Sequence, residues 1–121
     1  MSQSIAKLII SKIADAAILA NRFVKLTSTG IAAATAGTDK IAGVMNKQEG
    51  VATGEIAPVV VFGTAKVVAS AAVAIGDAVT ATTGGKAVVT TTTGNIVRGI
   101  ALEAAAADGD IIEILLTFYK Y

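Results

Sequence analysis

"ASAAVAIGDAVTATTGGKAVVT", residues 69–90, is the stretch that decides the fold. Val79-Thr80-Ala81-Thr82 alternates apolar and hydroxylated side chains. Thr83-Gly84-Gly85 then supplies residues that tolerate positive φ, and Lys86-Ala87-Val88-Val89-Thr90 resumes with β-branched residues. That order predicts a β-hairpin, with Gly85 a glycine because the turn needs a left-handed backbone. Asp77, after Gly76 at the entry to the first strand, is placed to accept hydrogen bonds from neighbouring backbone amides.

An earlier stretch, "ADAAILANRFVKLTSTGIAAAT" at residues 14–35, lies beneath it at a constant shift. Ala14/Ala69, Ala16/Ala71, Ala17/Ala72, Val24/Val79, Thr27/Thr82, Gly30/Gly85, Ala32/Ala87 and Thr35/Thr90 are then identical. After a one-residue slip, Ile41-Ala42-Gly43-Val44 lies beside Val97-Arg98-Gly99-Ile100. The reading is an internal repeat, roughly 14–48 and 69–104, inside one domain of residues 1–121. Shared Ala-rich composition is the plain alternative. By the same correspondence, Gly30 is given the same conformational reason as Gly85.

The same pattern predicts strands at 59–62 after Pro58, 64–68, 96–102 and 110–119. In the last, Ile112, Ile114, Leu116 and Phe118 share one face while Glu113, Leu115, Thr117 and Tyr119 share the other, as expected of a central strand partly buried on both sides. Ile5, Leu8, Ile9, Ile13 and Ala16 would line one face of a helix, but strand and loop is preferred there. Residues 101–107 are helix-prone but short, and Asp108-Gly109-Asp110 punctuates them as a turn. The fold class expected is all-β, a small barrel or sandwich with two related halves.

Composition narrows the function. The 121 residues are 54% hydrophobic and 16% charged, too apolar for disorder. The longest stretch without Asp, Glu, Lys or Arg runs only from Leu26 to Thr38, too short to cross a bilayer, so a soluble intracellular product with no membrane partner is expected. Ten basic and nine acidic residues, thinly spread, give no basic stripe for direct contact with nucleic acid. The chain has neither cysteine nor histidine, which removes thiol and imidazole nucleophiles, disulfides and the common zinc ligands. The apolar half is mostly Ala and Val. Such side chains bury little area each at roughly 25 cal/mol per Å², so oligomer or partner contacts are expected to reinforce the protomer.

Each chemical motif has a blander counterpart. As a phosphate loop, Gly84-Gly85-Lys86 lacks the glycine that should stand at Thr80 and the hydroxyl that should stand at Ala87. As a carrier lysine on a hairpin tip, Lys86 would suit a biotinyl- or lipoyl-like domain of two similar halves, although its neighbours are Gly and Ala. Asp108 and Asp110 lack the further acidic positions of a calcium loop. No nucleophile elbow occurs, and Thr90 to Thr93 form a single hydroxyl run. A hydrolase using carboxylates alone would have to rest on Asp77, Asp108 and Asp110. No catalytic, cofactor-binding or metal-ligating residue is assigned.

From Phe62 to Leu116 the spacing of small residues resembles the capsid cement, or head decoration, proteins of tailed bacteriophages. The elements that carry this are Gly63-Thr64-Ala65-Lys66-Val67, Gly76-Asp77-Ala78-Val79, Val97-Arg98-Gly99-Ile100-Ala101 and Gly109-Asp110, with "NRFVKL" and "DKIAGV" in the first half. The aromatic tail Phe118-Tyr119-Lys120-Tyr121 extends past the usual end. The resemblance implies a non-enzymatic protein without cofactor, made in the host cytoplasm and carried on the outer surface of the virion. Its implied partners are the major capsid protein and itself, as a homotrimer, and it would stabilise the expanded head by bridging capsid subunits.

Overall fold

The structure, a computed structural model, describes residues 6–121. Nine strands follow in chain order: β1 Ala6–Ile13, β2 Arg22–Leu26, β3 Ile31–Ala33, β4 Ile41–Met45, β5 Ile56–Val68, β6 Ala78–Ala81, β7 Ala87–Val89, β8 Ile96–Ala101 and β9 Ile111–Lys120. They pair antiparallel in the order β3-β2-β4-β5-β9-β8-β6-β7, with β1 added to β5, and the sheet curls into a half barrel. The all-β expectation holds. Among the described residues the one helical element is a 3-10 turn at Thr83–Gly85, and no helix is long and apolar enough to cross a membrane.

The two strands expected at 59–62 and 64–68 are one 13-residue strand, β5. Its earlier residues pair with β1, from Ile13↔Ile56 to Ala6↔Gly63, and with β4 at Val44↔Val60. Its later residues, Thr64 to Val68, pair with β9. The change of partner falls at Gly63, whose φ of 100° turns the strand without ending it. Pro58 lies inside the strand rather than before it. Its carbonyl accepts Asn46 N–H at 3.4 Å just past the end of β4, so the donor that proline lacks is missing only where the β4 ladder has ended.

The pairings of the second half reproduce those of the first. Ile13↔Ile56 is matched by Val68↔Ile111, 55 residues on (13 to 68, 56 to 111). Phe23↔Val44 is matched by Ala78↔Ile100. Loop contacts follow: Ala14 N–H to Glu55 O at 2.9 Å has its counterpart in Ala69 N–H to Asp110 O at 2.7 Å. Asn21 and Gly76 stand at matching positions and both have a left-handed backbone, φ 58° and 90°.

The register differs from the sequence reading in one respect. The first hairpin closes from Thr27 N–H to Gly30 O and the second from Thr82 N–H to Lys86 O, so the second turn holds one extra residue. Val24 pairs with Ala33 and Val79 with Val89, which makes Ile31 the counterpart of Ala87. The slip therefore falls inside the turn, and Gly30/Gly85, Ala32/Ala87 and Thr35/Thr90 are each one residue out of register. Gly30 also has a different reason to be glycine. Its backbone is not left-handed, but a Cβ there would collide with the Ile13 carbonyl.

Successive residues of a strand face opposite ways, and β2 uses both directions. Val24 joins Ile31, Met45 and Val59 in a core closed by Ala14, Ile18 and Val51. Phe23 points the other way, with Ala34, Ile41, Val44 and Val60, into a larger core built on Val79, Ala87, Ala101, Ile112, Ile114 and Leu116. The first half thus covers the second. β9 lies between β5 and β8, with Glu113 also buried on its opposite face. Phe118 is exposed and lies past a register shift, between the pairs Gly99↔Leu116 and Val97↔Tyr119, that interrupts the expected alternation. β1 is the strand preferred over a helix, while Ile5 lies outside the described residues. Residues 101–107 form no helix; Ala105 instead bridges Val73.

At Gly85 φ is 75°, and an added Cβ would stand 2.5 Å from the Phe23 carbonyl oxygen. Gly85→Ala is expected to cost about 1–3 kcal/mol, read as a lowered denaturant midpoint. Gly109→Ala, left-handed but with no atom within 4 Å of the new Cβ, should cost less.

Candidate interaction surface

Arg98, on β8, is the largest fully buried side chain, with 2% of its surface exposed. It faces inward at the seam between the halves. Nη1 donates to Thr117 O at 2.6 Å, and Nη2 donates to Ala42 O at 2.9 Å and Val61 O at 3.3 Å. The guanidinium carbon stands 5.1 Å from the centre of the Phe118 ring. Burial lowers the pKa of the group from its ordinary value, and Nε is buried without a partner. One side chain therefore satisfies carbonyls on β4, β5 and β9. Sequence reasoning did not single out Arg98. The available signal was an arginine inside a β-branched strand, at the position that pairs in the repeat with Ala42.

The Gly84-Gly85-Lys86 tip is not presented to solvent as a free loop. Gly84 O accepts Arg22 Nη1 at 3.0 Å, and Gly85 packs against the backbone of Phe23. Lys86 Nζ donates to Asp108 Oδ1 at 2.8 Å, and this hydrogen bond and charge hold the Asp108 carboxyl below its usual range. The carrier-lysine reading has no geometric support from this arrangement.

The other weighed residues brace turns. Asp77 accepts Ala74 N–H at 3.0 Å. Asp110 accepts Ala106 N–H at 2.8 Å, as Glu55 accepts Ala52 N–H at 2.6 Å. Thr90 is buried and accepts Asn95 Nδ2 at 2.9 Å, whereas Thr91, Thr92 and Thr93 are exposed. The structure does not bring Asp77, Asp108 and Asp110 together, and among the described residues no group of three acidic side chains is poised for a metal ion.

What the fold does present is apolar surface. Of the five aromatic residues only Phe23 is buried; Phe62, Phe118, Tyr119 and Tyr121 are exposed, with Leu8, Ile9 and Ile13 on the edge strand β1. Two clefts open beside β1. One, of about 430 Å³, is apolar and includes Ile10, Leu26, Val61, Phe62 and Phe118, with Arg98 in its wall. The other, of about 550 Å³, is polar and lies between Ser11-Lys12 and the turn Thr27–Gly30. There Asp15 accepts both the Thr27 and Thr29 hydroxyls, and those bonds hold its carboxyl below the usual range.

The described residues thus form a curled antiparallel sheet that exposes aromatic and aliphatic side chains. Comparison with known proteins identifies the family. The family model of the XM1 gp53 minor capsid protein matches residues 3–116, and the chain belongs to that family, a group of phage capsid-associated proteins. Among solved structures, the head fiber gp8.5 N base of bacteriophage phi29 is similar in fold. Its TM-score is 0.69 at 21% identity, over 94% of this chain and 97% of that one. No curated protein matches.

Two outcomes follow from the seam and the turns. Arg98→Met, which removes the side-chain donor to three carbonyls at the seam, should lower stability by about 2–4 kcal/mol in chemical denaturation. Asp39 provides a third depressed carboxyl: burial raises its pKa, but bonds from Thr35 and Ala36 and the charge of Lys25 outweigh that. Folded pKa values below the unfolded ones give stability that is present above the unfolded value, about 3.9. It is lost as pH falls through the folded values. Melting temperatures should therefore fall modestly below about pH 4, and Asp39→Asn should lessen that fall.

Proposed function

We propose that this protein is a capsid cement protein: it binds the outer surface of the phage head and stabilises the expanded shell by bridging major capsid subunits. The match to a minor capsid family over residues 3–116 carries the reading. The exposed aromatic and aliphatic surface supports it, since apolar area freed from water on docking provides the binding free energy. The fiber base of phi29, a head protein by its description, has the same fold.

In this reading the protein carries out no reaction and needs no cofactor. It is made in the host cytoplasm and resides on the virion exterior. Residues 1–121 form one domain whose two halves arose by tandem duplication, which accounts for the recurrent pairings. It acts as a homotrimer, because three identical patches on one shell raise the effective concentration of the second and third contacts. That gain multiplies affinity by about 10²–10⁴ without stronger single contacts.

Purified protein added to expanded, undecorated heads should co-sediment with them and raise the temperature at which they rupture. Heads that neither bind it nor gain heat resistance would remove the reading. Phe118→Ala and Tyr119→Ser together should weaken that binding while leaving the fold intact, because both side chains are exposed.

A further inference from the structure

We propose that the second half of one copy docks on the first half of another by the same contact with which, inside each chain, the first half covers the second. This rests on the homo-oligomeric part of the function proposed above and specifies the surfaces that would make it.

The observation is an unequal burial of equivalent residues. The strand pairings match Ile10, Lys12, Leu26 and Val61 in the first half with Ala65, Val67, Ala81 and Leu116 in the second. The second set is buried, none above 6%. In the first set, Leu26 is 46% exposed, Lys12 is exposed, and Ile10 and Val61 are half-buried around the apolar cleft.

Cover makes the difference, because the second set shares one core with Phe23, Val44 and Val60 from the first half. Those three match Ala78, Ile100 and Leu115. Phe23, Val44 and Val60 are at most 1% exposed, whereas Leu115 is 45% exposed and Ala78 and Ile100 are half-buried. Each chain thus uses the contact once and leaves one face of each kind open, at opposite ends of the repeat.

Polar features at the open faces complete the match. Inside the chain, Val68 N–H donates to Asn21 O at 3.0 Å. The counterparts are Ile13 N–H and Gly76 O. Gly76 shares the left-handed backbone of Asn21, and its N–H bonds Ala101 O as Asn21 N–H bonds Met45 O. Ala14 N–H is bound to Glu55 O, so the adjacent Ile13 N–H points to the free edge of β1. Arg22 seats against the turn of the second hairpin at Gly84 O, and the matching turn of the first hairpin is the open polar cleft beside Lys12. The residue that matches Arg22 is Asp77, which would bring a carboxylate towards that lysine.

Such a contact joins two different patches, so it is heterologous and with three copies closes as a ring. It has a diagnostic behaviour in mixtures. Leu26→Asp spoils only the receiving face and Leu115→Asp only the covering face. By light scattering coupled to size exclusion, wild type should be oligomeric. Each variant should be monomeric, its self-association weakened by about 30-fold or more. An equimolar mixture of the two variants should give a dimer of one copy each, because one intact face of each kind remains.

A monomeric wild type, an oligomer that survives either substitution, or a mixture that stays monomeric would overturn the proposal. Both leucines are half exposed, and circular dichroism checks the fold; the Leu26→Ser and Leu115→Ser pair replaces them if an aspartate variant fails to fold. Head binding is scored separately. Oligomers that ignore heads would remove the cement reading and leave this contact standing, and head-binding monomers would do the reverse.

Discussion

One strand, β5, belongs to both halves of the molecule, and everything else is arranged around that sharing. Its residues up to Gly63 are hydrogen-bonded to β1 and β4, and its residues beyond are bonded to β9. A backbone that serves two sheet regions in turn cannot let them drift apart, because separating them would strip the ladder bonds from one side or the other. The left-handed Gly63 lets the strand turn at the handover, so the sheet curls rather than lying flat.

The same economy appears at the seam. The halves are built largely from Ala and Val, which fill little volume and bury little area, and two long side chains, Arg22 and Arg98, reach across the junction. Arg98 donates to carbonyls from three strands while its guanidinium rests beside Phe118. A buried cation without a carboxylate is costly unless its donors are used, and here three carbonyls use them. That trade ties the geometry of β4, β5 and β9 to one residue.

Equal pairing and unequal burial together connect fold to role. A curled sheet whose halves match strand for strand, but of which one half covers the other, ends with apolar surface at both extremes of the repeat. Exposed aromatics and the edge strand β1 add to that surface. In the function proposed for this member of a phage minor capsid family, that surface is where the molecule would meet other proteins.

The sequence by itself determined the all-β class, both hairpins and the central place of β9, because alternation and turn residues act locally and survive without knowledge of neighbours. Its order of small-residue motifs also pointed to the capsid-associated class. Tertiary structure decided the rest. Whether residues 59–62 and 64–68 were one strand or two depended on which partners Gly63 could hand over to, and the extra residue in the second turn appeared only through the pairing of Val79 with Val89. Gly30 is small because of Ile13, which lies far along the chain, and Arg98 matters because three distant carbonyls converge on it. Burial and convergence are properties of segments brought together in space, so no local pattern in the chain can express them.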